Sequence, residues 1–262
     1  MHTTVSKLTG VLALLLLTTL AASPALAGAR VVFLHHSTGG GVYWDGDVEG
    51  YIASRAPDIQ IEERSYPDSP YDWENYPYDY WNLWINGACD SGNPNIECMD
   101  SLARNYDVII FKHCFPGAYV EPDYGPGDVS SPDKTMANYQ AQYRALRDLM
   151  DSYPDTKFIV WTLAPLHRQA TDRDASARAA QFVDWVNHGF LTEDGQGHPN
   201  IFIFDFWSIV TETNPNPAQG EVNTLRYEFE QNHSDSDSHP NYQANQAAGP
   251  QFGQFIIDVV NQ

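Results

Sequence analysis

Residues 31–41 read VVFLHHSTGGG, an apolar run that passes through two histidines and a serine into three glycines. The run is rich in β-branched side chains and is ended by glycines, which predicts the first buried strand of an α/β sheet. In open α/β sheets, ligands bind beyond the carboxyl ends of the strands. The stretch therefore places a candidate nucleophile, Ser37, where such a fold carries out chemistry. The alternative is a serine that only forms a turn or caps a helix.

A second polar stretch, DSDSHPN at residues 235–241, lies about two hundred residues later. A serine hydroxyl is a weak nucleophile unless a neighbouring base takes its proton, and His239 is the best candidate for that base. Asp237 or Asp235 would orient the imidazole ring. Pro240 indicates that a helix begins just after His239. The alternative is a polar surface loop without catalytic function.

Strand and helix patterns alternate along the rest of the chain, which predicts a parallel sheet with helices on both faces. We expect a flavodoxin-like three-layer α/β/α sandwich with a five-stranded parallel sheet. An aromatic-rich loop is expected at residues 66–84, packed over the core or stacked on sugar rings. The predicted strands are residues 31–34, 59–63, 107–112, 157–163 and 201–206, and the predicted helices include 42–56, 96–104, one that starts at Ser131 and Pro132, and a final one near 252–260.

The first 27 residues have the pattern of a signal peptide, with Lys7, an apolar stretch at 11–20 and Ala-Leu-Ala at 25–27. The apolar stretch is shorter than the roughly 20 residues that span a bilayer, although a membrane anchor is the alternative. We expect an exported protein, periplasmic or extracellular, whose residues 28–262 form one domain. The chain has 14 Lys+Arg against 34 Asp+Glu, a net charge of −20. This balance argues against binding nucleic acid or an anionic membrane, because both depend on basic patches.

Three cysteines are present, and Cys89 and Cys98 are expected to pair across a short loop in an oxidising compartment. Cys114 follows an apolar strand and is expected to be a buried free thiol, with a nucleophilic role beside His113 as the alternative. No metal or other cofactor is predicted. A metal site from His35 or His36 together with His113 and His239 is the alternative, because imidazole is a common ligand.

The order of these elements and motifs resembles the SGNH hydrolases, also called GDSL esterases, over nearly the whole mature chain. Ser37 matches the family's nucleophile position after the first strand, and His239-Pro240-Asn241 matches its histidine block before the last helix. The stretch TLAP at 162–165 is also similar to the family. Residues 34–37, Leu-His-His-Ser, replace the usual Gly-Asp-Ser block, which indicates a divergent branch.

Three features depart from the family pattern. The position three residues before His239, where the family places its acid, is Ser236, so Asp237 and Asp235 remain alternatives. The Gly-x-Asn-Asp block after the third strand is absent, and with it the usual asparagine that stabilises the oxyanion. His113 or a backbone N–H near Gly117 would take its place. The glycine block after the second strand is matched only weakly, by Asn86 and Gly87.

The resemblance implies a secreted serine hydrolase that cleaves ester bonds, with an acyl group on a carbohydrate as one candidate substrate. His36 and Gly39 would line the pocket beside Ser37, whose backbone N–H would help to hold the oxyanion. The expected partner is a small-molecule or glycan ester, with no nucleic acid and no membrane, and the sequence leaves the oligomeric state open. Two rival hypotheses are a non-catalytic carbohydrate-binding or surface protein and a histidine-based metal hydrolase.

Overall fold

A computed structural model describes residues 28–71, 75–90 and 92–262 of the chain. The predicted signal peptide, residues 1–27, lies outside the described residues, as does the short stretch 72–74 of the aromatic-rich segment. None of the described helices combines the length and the apolar character needed to cross a bilayer.

The centre of the molecule is a five-stranded, all-parallel sheet. Its strand order is β2-β1-β3-β4-β5, which is the flavodoxin-like order with a switch point between β1 and β3. The predicted three-layer α/β/α fold with five parallel strands is therefore confirmed. The strands are β1 (Arg30–His35), β2 (Gln60–Ser65), β3 (Val108–Phe111), β4 (Lys157–Trp161) and β5 (Ile201–Phe204).

Successive side chains of each buried strand point to opposite faces of the sheet, so both faces are apolar. Helices cover both of these faces. In β1, Val31 and Phe33 pack against α1, α2 and α8, whereas Val32 and Leu34 pack against α3 to α6. The helices are α1 (Thr38–Asp45), α2 (Val48–Arg55), α3 (Pro77–Trp84), α4 (Met99–Asn105), α5 (Met136–Asp151), α6 (Arg173–His188), α7 (Phe206–Val210) and α8 (Tyr242–Val260).

The predicted helix at 42–56 is two helices, and the first of them begins earlier than expected. α1 starts at Thr38, so the three glycines belong to a helix rather than to an open turn. The chain then breaks before α2, where Asp47 has a left-handed backbone with φ 51°. The apolar periodicity of residues 42–56 could not show this break, because the buried side chains of both helices join the same core cluster.

The aromatic-rich segment is packed against the core, and part of it is helical. Tyr66 and Tyr80 are fully buried, which agrees with the packing interpretation. The prediction of a loop through residue 84 was wrong, because α3 begins at Pro77. Proline fits the first helical position, and the Asp79 carboxylate accepts a hydrogen bond from the Tyr76 backbone N–H. Aromatic residues on most sides of this helix hid its periodicity.

The start predicted for the next long helix was also wrong. Ser131 and Asp133 form a local turn, and α5 begins five residues after Ser131. Thr135 caps the helix, because its Oγ1 accepts the Asn138 backbone N–H at 3.3 Å. A serine followed by proline is thus not sufficient to mark the start of this helix.

A disulfide joins Cys89 and Cys98, which are nine residues apart, and links the end of the α3 segment to the N-cap of α4. Cys114 is a free thiol and is buried. The short cross-link closes the loop that the sequence marks with Gly and Asn.

The last helix packs closely against the first. Gly46 and Gly249 meet so tightly that a Cβ on Gly249 would lie 2.3 Å from the Gly46 carbonyl oxygen. Close by, the Asn245 side-chain amide donates a hydrogen bond to the Asp45 carboxylate at 2.9 Å. The two helices follow Ser37 and His239 in the chain, so this contact joins the two elements that come directly after the candidate residues.

Candidate active site

Ser37 lies in the sharp turn between β1 and α1, at the carboxyl edge of the sheet. Its backbone φ is 32°, a region that residues other than glycine rarely adopt. Ser37 occupies the N-cap position of α1, but its side chain makes no capping hydrogen bond. The residue is exposed, and its Oγ lies 3.9 Å from the Cys114 sulfur. The turn therefore presents a hydroxyl that is not needed to cap the helix.

The backbone around Ser37 offers several hydrogen-bond donors at the start of α1. The Gly39 N–H is already bonded to the His36 carbonyl at 2.9 Å. Within the described residues, the N–H groups of Ser37, Thr38 and Gly40 donate to no acceptor. Free N–H groups at a helix start are suited to binding a negative oxygen. These three groups, rather than Gly39, are the available oxyanion donors.

His239 is held by Asp237 from two residues earlier in the chain. The ring Nδ1 lies 2.6 Å from the Asp237 Oδ1, which also accepts the His239 backbone N–H at 3.0 Å. Asp235 instead accepts hydrogen bonds from the Asn232 side chain and from the Asp237 N–H. Burial alone would raise the pKa of Asp237, but the His239 hydrogen bonds and ring charge hold that pKa below its usual value. Because Nδ1 faces the Asp237 carboxylate, Nε2 is the ring nitrogen that is left for proton transfer.

The segment after β3 lies between Ser37 and His239. Cys114 contacts the Ser37 hydroxyl, and the ring of the next residue, Phe115, meets the His239 ring edge-on at 4.8 Å between centroids. The side chains of Ser37 and His239, both among the described residues, form no hydrogen bond with each other. They face the same edge of the sheet at the switch point between β1 and β3. Catalytic hydrogen bonds are often long in the absence of substrate and tighten when it binds.

His35 and His36 are both engaged by nearby groups. The His36 Nε2 donates to the Pro67 carbonyl at 2.6 Å, and its Nδ1 accepts from the Ser65 hydroxyl at 3.1 Å. The His35 Nε2 lies 2.6 Å from a Glu63 carboxylate oxygen. Burial lowers the pKa of His36 to about 4 and that of His35 to about 3. Both rings are therefore neutral near pH 7, and their hydrogen bonds tie the residues before Ser37 to Glu63, Ser65 and Pro67.

His113 is enclosed by aromatic rings and lies inside the core. The rings of Tyr80 and Tyr143 lie within 5.5 Å of its centroid, and neither of its ring nitrogens has a hydrogen-bond partner. Burial, together with the Lys112 charge, lowers the pKa of His113 to about 3. The Gly117 N–H donates to the Cys114 carbonyl at 3.1 Å. His113 is thus fully buried and the Gly117 N–H is already bonded, so neither is available to an oxyanion in this structure.

The histidines do not converge on one point. Across residues 28–71, 75–90 and 92–262, no group of three or more His, Cys, Asp or Glu side chains is arranged to hold a metal ion. His113 lies in the core, whereas His239 lies at the partly exposed edge. The described residues therefore provide no ligand set for the histidine-based metal hydrolase.

Two residues at this edge were not among the candidates drawn from the sequence. Ser238 is buried, and its Oγ accepts the His167 backbone N–H at 2.9 Å, which anchors the residue between Asp237 and His239. Lys112 is also buried, with its ammonium 3.3 Å from the His36 carbonyl. The sequence does single out Lys112 in one way, because it is a lysine at the end of an otherwise apolar strand. Nothing in the sequence distinguishes Ser238 from its serine neighbours.

No protein-family model matches the chain, and no curated protein matches it at a significant level. Solved structures with a similar fold include a gut microbial diltiazem-metabolizing enzyme, with 12% identity and a TM-score of 0.46 over 92% of this chain and 48% of that one. A second is a putative platelet activating factor from Streptococcus pneumonia, with 9% identity and a TM-score of 0.45 over 90% and 86% of the two chains.

A third is a carbohydrate esterase whose active site displays divergent catalytic and non-catalytic binding functions. It has 10% identity and a TM-score of 0.44, covering 87% of this chain and 68% of the other. The chain spans about half the length of the first of these structures.

Proposed function

We propose that this chain is a secreted serine hydrolase of the SGNH type that cleaves ester bonds. The observation that carries the proposal is the pair formed by Asp237 and His239, 2.6 Å apart, at the sheet edge where Ser37 exposes an uncapped hydroxyl. A carboxylate, an imidazole and a hydroxyl at one edge are the groups that acyl transfer requires.

In this mechanism, the Ser37 Oγ attacks the ester carbonyl while the His239 Nε2 takes the hydroxyl proton. The carbonyl oxygen becomes negative and is held by the free N–H groups of Ser37, Thr38 and Gly40. His239 then gives its proton to the departing alcohol, which leaves an acyl group on Ser37. Water, deprotonated by His239, attacks this acyl-enzyme and releases the carboxylic acid. Asp237 keeps the ring in the tautomer that these steps need.

An acylated carbohydrate is the substrate class that we favour within the esters. Trp44 in α1 is 62% exposed and Tyr242 in α8 is 63% exposed. Their two helices follow Ser37 and His239 in the chain. Exposed flat aromatic faces are suited to cover the apolar face of a sugar ring. The fully buried rings of Tyr66 and Tyr80 are unavailable for this purpose.

The test compares the wild type with Ser37→Ala on a panel of short acyl esters and acetylated glycans. We expect Ser37→Ala to lower kcat by about 10³-fold or more, because the acyl-enzyme cannot form. Ser54→Ala, an exposed serine on α2, serves as the matched control and keeps wild-type activity. Full activity of Ser37→Ala would exclude the assignment.

A non-catalytic carbohydrate-binding protein is the second candidate. It is favoured by the absence of a direct hydrogen bond between Ser37 and His239 and by the missing asparagine donor. A serine-directed fluorophosphonate probe separates the two candidates. Labelling that is lost in Ser37→Ala indicates a working nucleophile, whereas an unlabelled wild type that still binds glycans indicates the binding protein.

A further inference from the structure

Lys112 is a buried cation at the candidate site. It follows β3 directly, is only 1% exposed, and its ammonium donates to the His36 carbonyl at 3.3 Å and to the Cys114 sulfur at 3.6 Å. Buried charges are costly and normally have a partner of opposite charge. In the described part of the chain, no Asp or Glu carboxylate pairs with Lys112. The proposed mechanism does not use this group.

The groups that face Lys112 do not neutralise its charge. The pKa values of His35, His36 and His113 are all lowered, mainly by burial, and the Lys112 charge lowers each of them further. These three rings are therefore neutral, and the Lys112 ammonium lies 3.6 Å from the Cys114 sulfur. Burial lowers the pKa of Lys112 itself, while Cys114 opposes that shift. The Lys112 ammonium is thus held beside the Ser37 turn by the His36 carbonyl and the Cys114 sulfur, with no carboxylate partner among the described residues.

We propose that Lys112 is a positioning residue that strengthens the Ser37 backbone N–H as a hydrogen-bond donor to the oxyanion. The His36 carbonyl and the Ser37 N–H belong to the same peptide group. An ammonium on the carbonyl oxygen draws electron density through that group and makes the N–H more positive. The Gly39 N–H donates to the same oxygen at 2.9 Å, which adds to the effect.

The position of Lys112 fits this role better than direct contact with substrate. In a trans peptide the carbonyl and the N–H point in opposite directions, so Lys112 lies on the far side of the peptide from the oxyanion. The attraction between its charge and the substrate oxygen becomes stronger as negative charge develops on that oxygen. Lys112 therefore acts on the transition state more than on the bound ester, and it affects kcat more than KM.

The experiment compares Lys112→Met with Lys157→Met. Lys157 is the matched control, because its ammonium also donates to backbone carbonyls, those of Val259 and Val260, but at the opposite edge of the sheet. We expect Lys112→Met to lower kcat about tenfold or more, with KM within about threefold, since the loss is smaller than that of a whole oxyanion donor. Lys157→Met keeps kcat within about twofold.

A short alkyl boronic acid, which forms a tetrahedral adduct with serine, separates this role from a merely structural one. Its affinity for Lys112→Met should fall by the same factor as kcat. If Lys112→Met does not fold, Lys112→Gln provides both measurements, because it retains an N–H donor without the charge. An unchanged kcat, or a lowered kcat with unchanged boronic acid affinity, overturns the inference.

The inference rests on the proposed function, and its failure can be recognised separately. Activity that persists in Ser37→Ala contradicts the serine mechanism itself. Activity that depends on Ser37 but not on Lys112 contradicts only the role of Lys112.

Discussion

Asp237 contacts the His239 ring from only two residues away, through a local turn rather than across the fold. The same carboxylate oxygen accepts both the ring Nδ1–H and the backbone N–H of His239. This double contact fixes both the tautomer and the backbone position of the ring. Asp235 lies two residues before Asp237 and supports Asp237 instead, because the Asp235 carboxylate accepts the Asp237 N–H at 3.0 Å.

This arrangement predicts different effects for the two acids. Asp237→Asn should lower kcat by about 100-fold or more, because an amide can impose the wrong tautomer on His239. Asp235→Asn is the control, and we expect kcat within about threefold of the wild type. Steady-state kinetics on the best ester of the panel measures both. Equal losses in the two variants would contradict the assignment of Asp237.

At the residue scale, the sequence could predict Ser37 and His239 as candidates, because strand ends and helix starts are visible in the residue pattern. It left Asp235 and Asp237 as alternatives, because the choice depends on side-chain geometry within one turn. It could not place His113, because burial by Tyr80 and Tyr143 depends on α3 and α5 meeting in space.

At the level of elements, the contact between α1 and α8 depends on the absence of two side chains. Gly46 and Gly249 touch backbone to backbone, and neither backbone has room for a Cβ. α1 begins with the N–H groups that would hold the oxyanion. Any shift of α1 on α8 therefore changes both the stability of the fold and the geometry of the candidate site.

Gly249→Ala tests this contact. Its methyl group would clash with Gly46, and we expect the free energy of unfolding to fall by about 1–3 kcal/mol, as in other overpacked sites. Gly197→Ala is the control, because a Cβ there meets nothing within 4 Å. Urea denaturation measures both variants. A Gly249→Ala midpoint equal to that of the control would show that the helices separate at little cost.

The β-strands were more predictable than the helices. Apolar runs such as VIIF in β3 are buried on both faces, so composition alone marks them. The breaks at Asp47 and the cap at Thr135 are local backbone choices that apolar spacing does not report. α3 was hidden because aromatic residues occupy more than its core-facing side.

On the scale of the whole molecule, the buried neutral histidines connect folding to pH. His35, His36 and His113 have pKa values of about 3 to 4 in the fold, well below the ordinary 6.5. At pH values between these folded-state pKa values and 6.5, the unfolded chain binds protons that the native chain does not bind. The free energy of unfolding therefore falls as the pH drops below 6.5, by about 1.4 kcal/mol per pH unit for each fully buried histidine.

His113→Phe removes one of these sites and two unpaired buried nitrogens. We expect the free energy of unfolding at pH 7 to rise by about 1 kcal/mol. The dependence on pH between 6 and 4.5 should weaken by about 1.4 kcal/mol per unit. His188→Phe, whose side chain is 76% exposed, is the control and keeps the wild-type slope. Denaturation curves at several pH values measure these slopes. A slope in His113→Phe equal to that of the wild type would contradict a neutral His113 in the folded protein.

The pairing of α1 with α8 has a consequence for the order in which the protein is made. Ser37 is synthesised about two hundred residues before His239, and the helix that supports His239 against α1 ends at Val260. A growing chain can form β1 and its turn early, but the candidate base and its support are added only about two hundred residues later. The proposed active site therefore stays incomplete until the chain has been synthesised through α8.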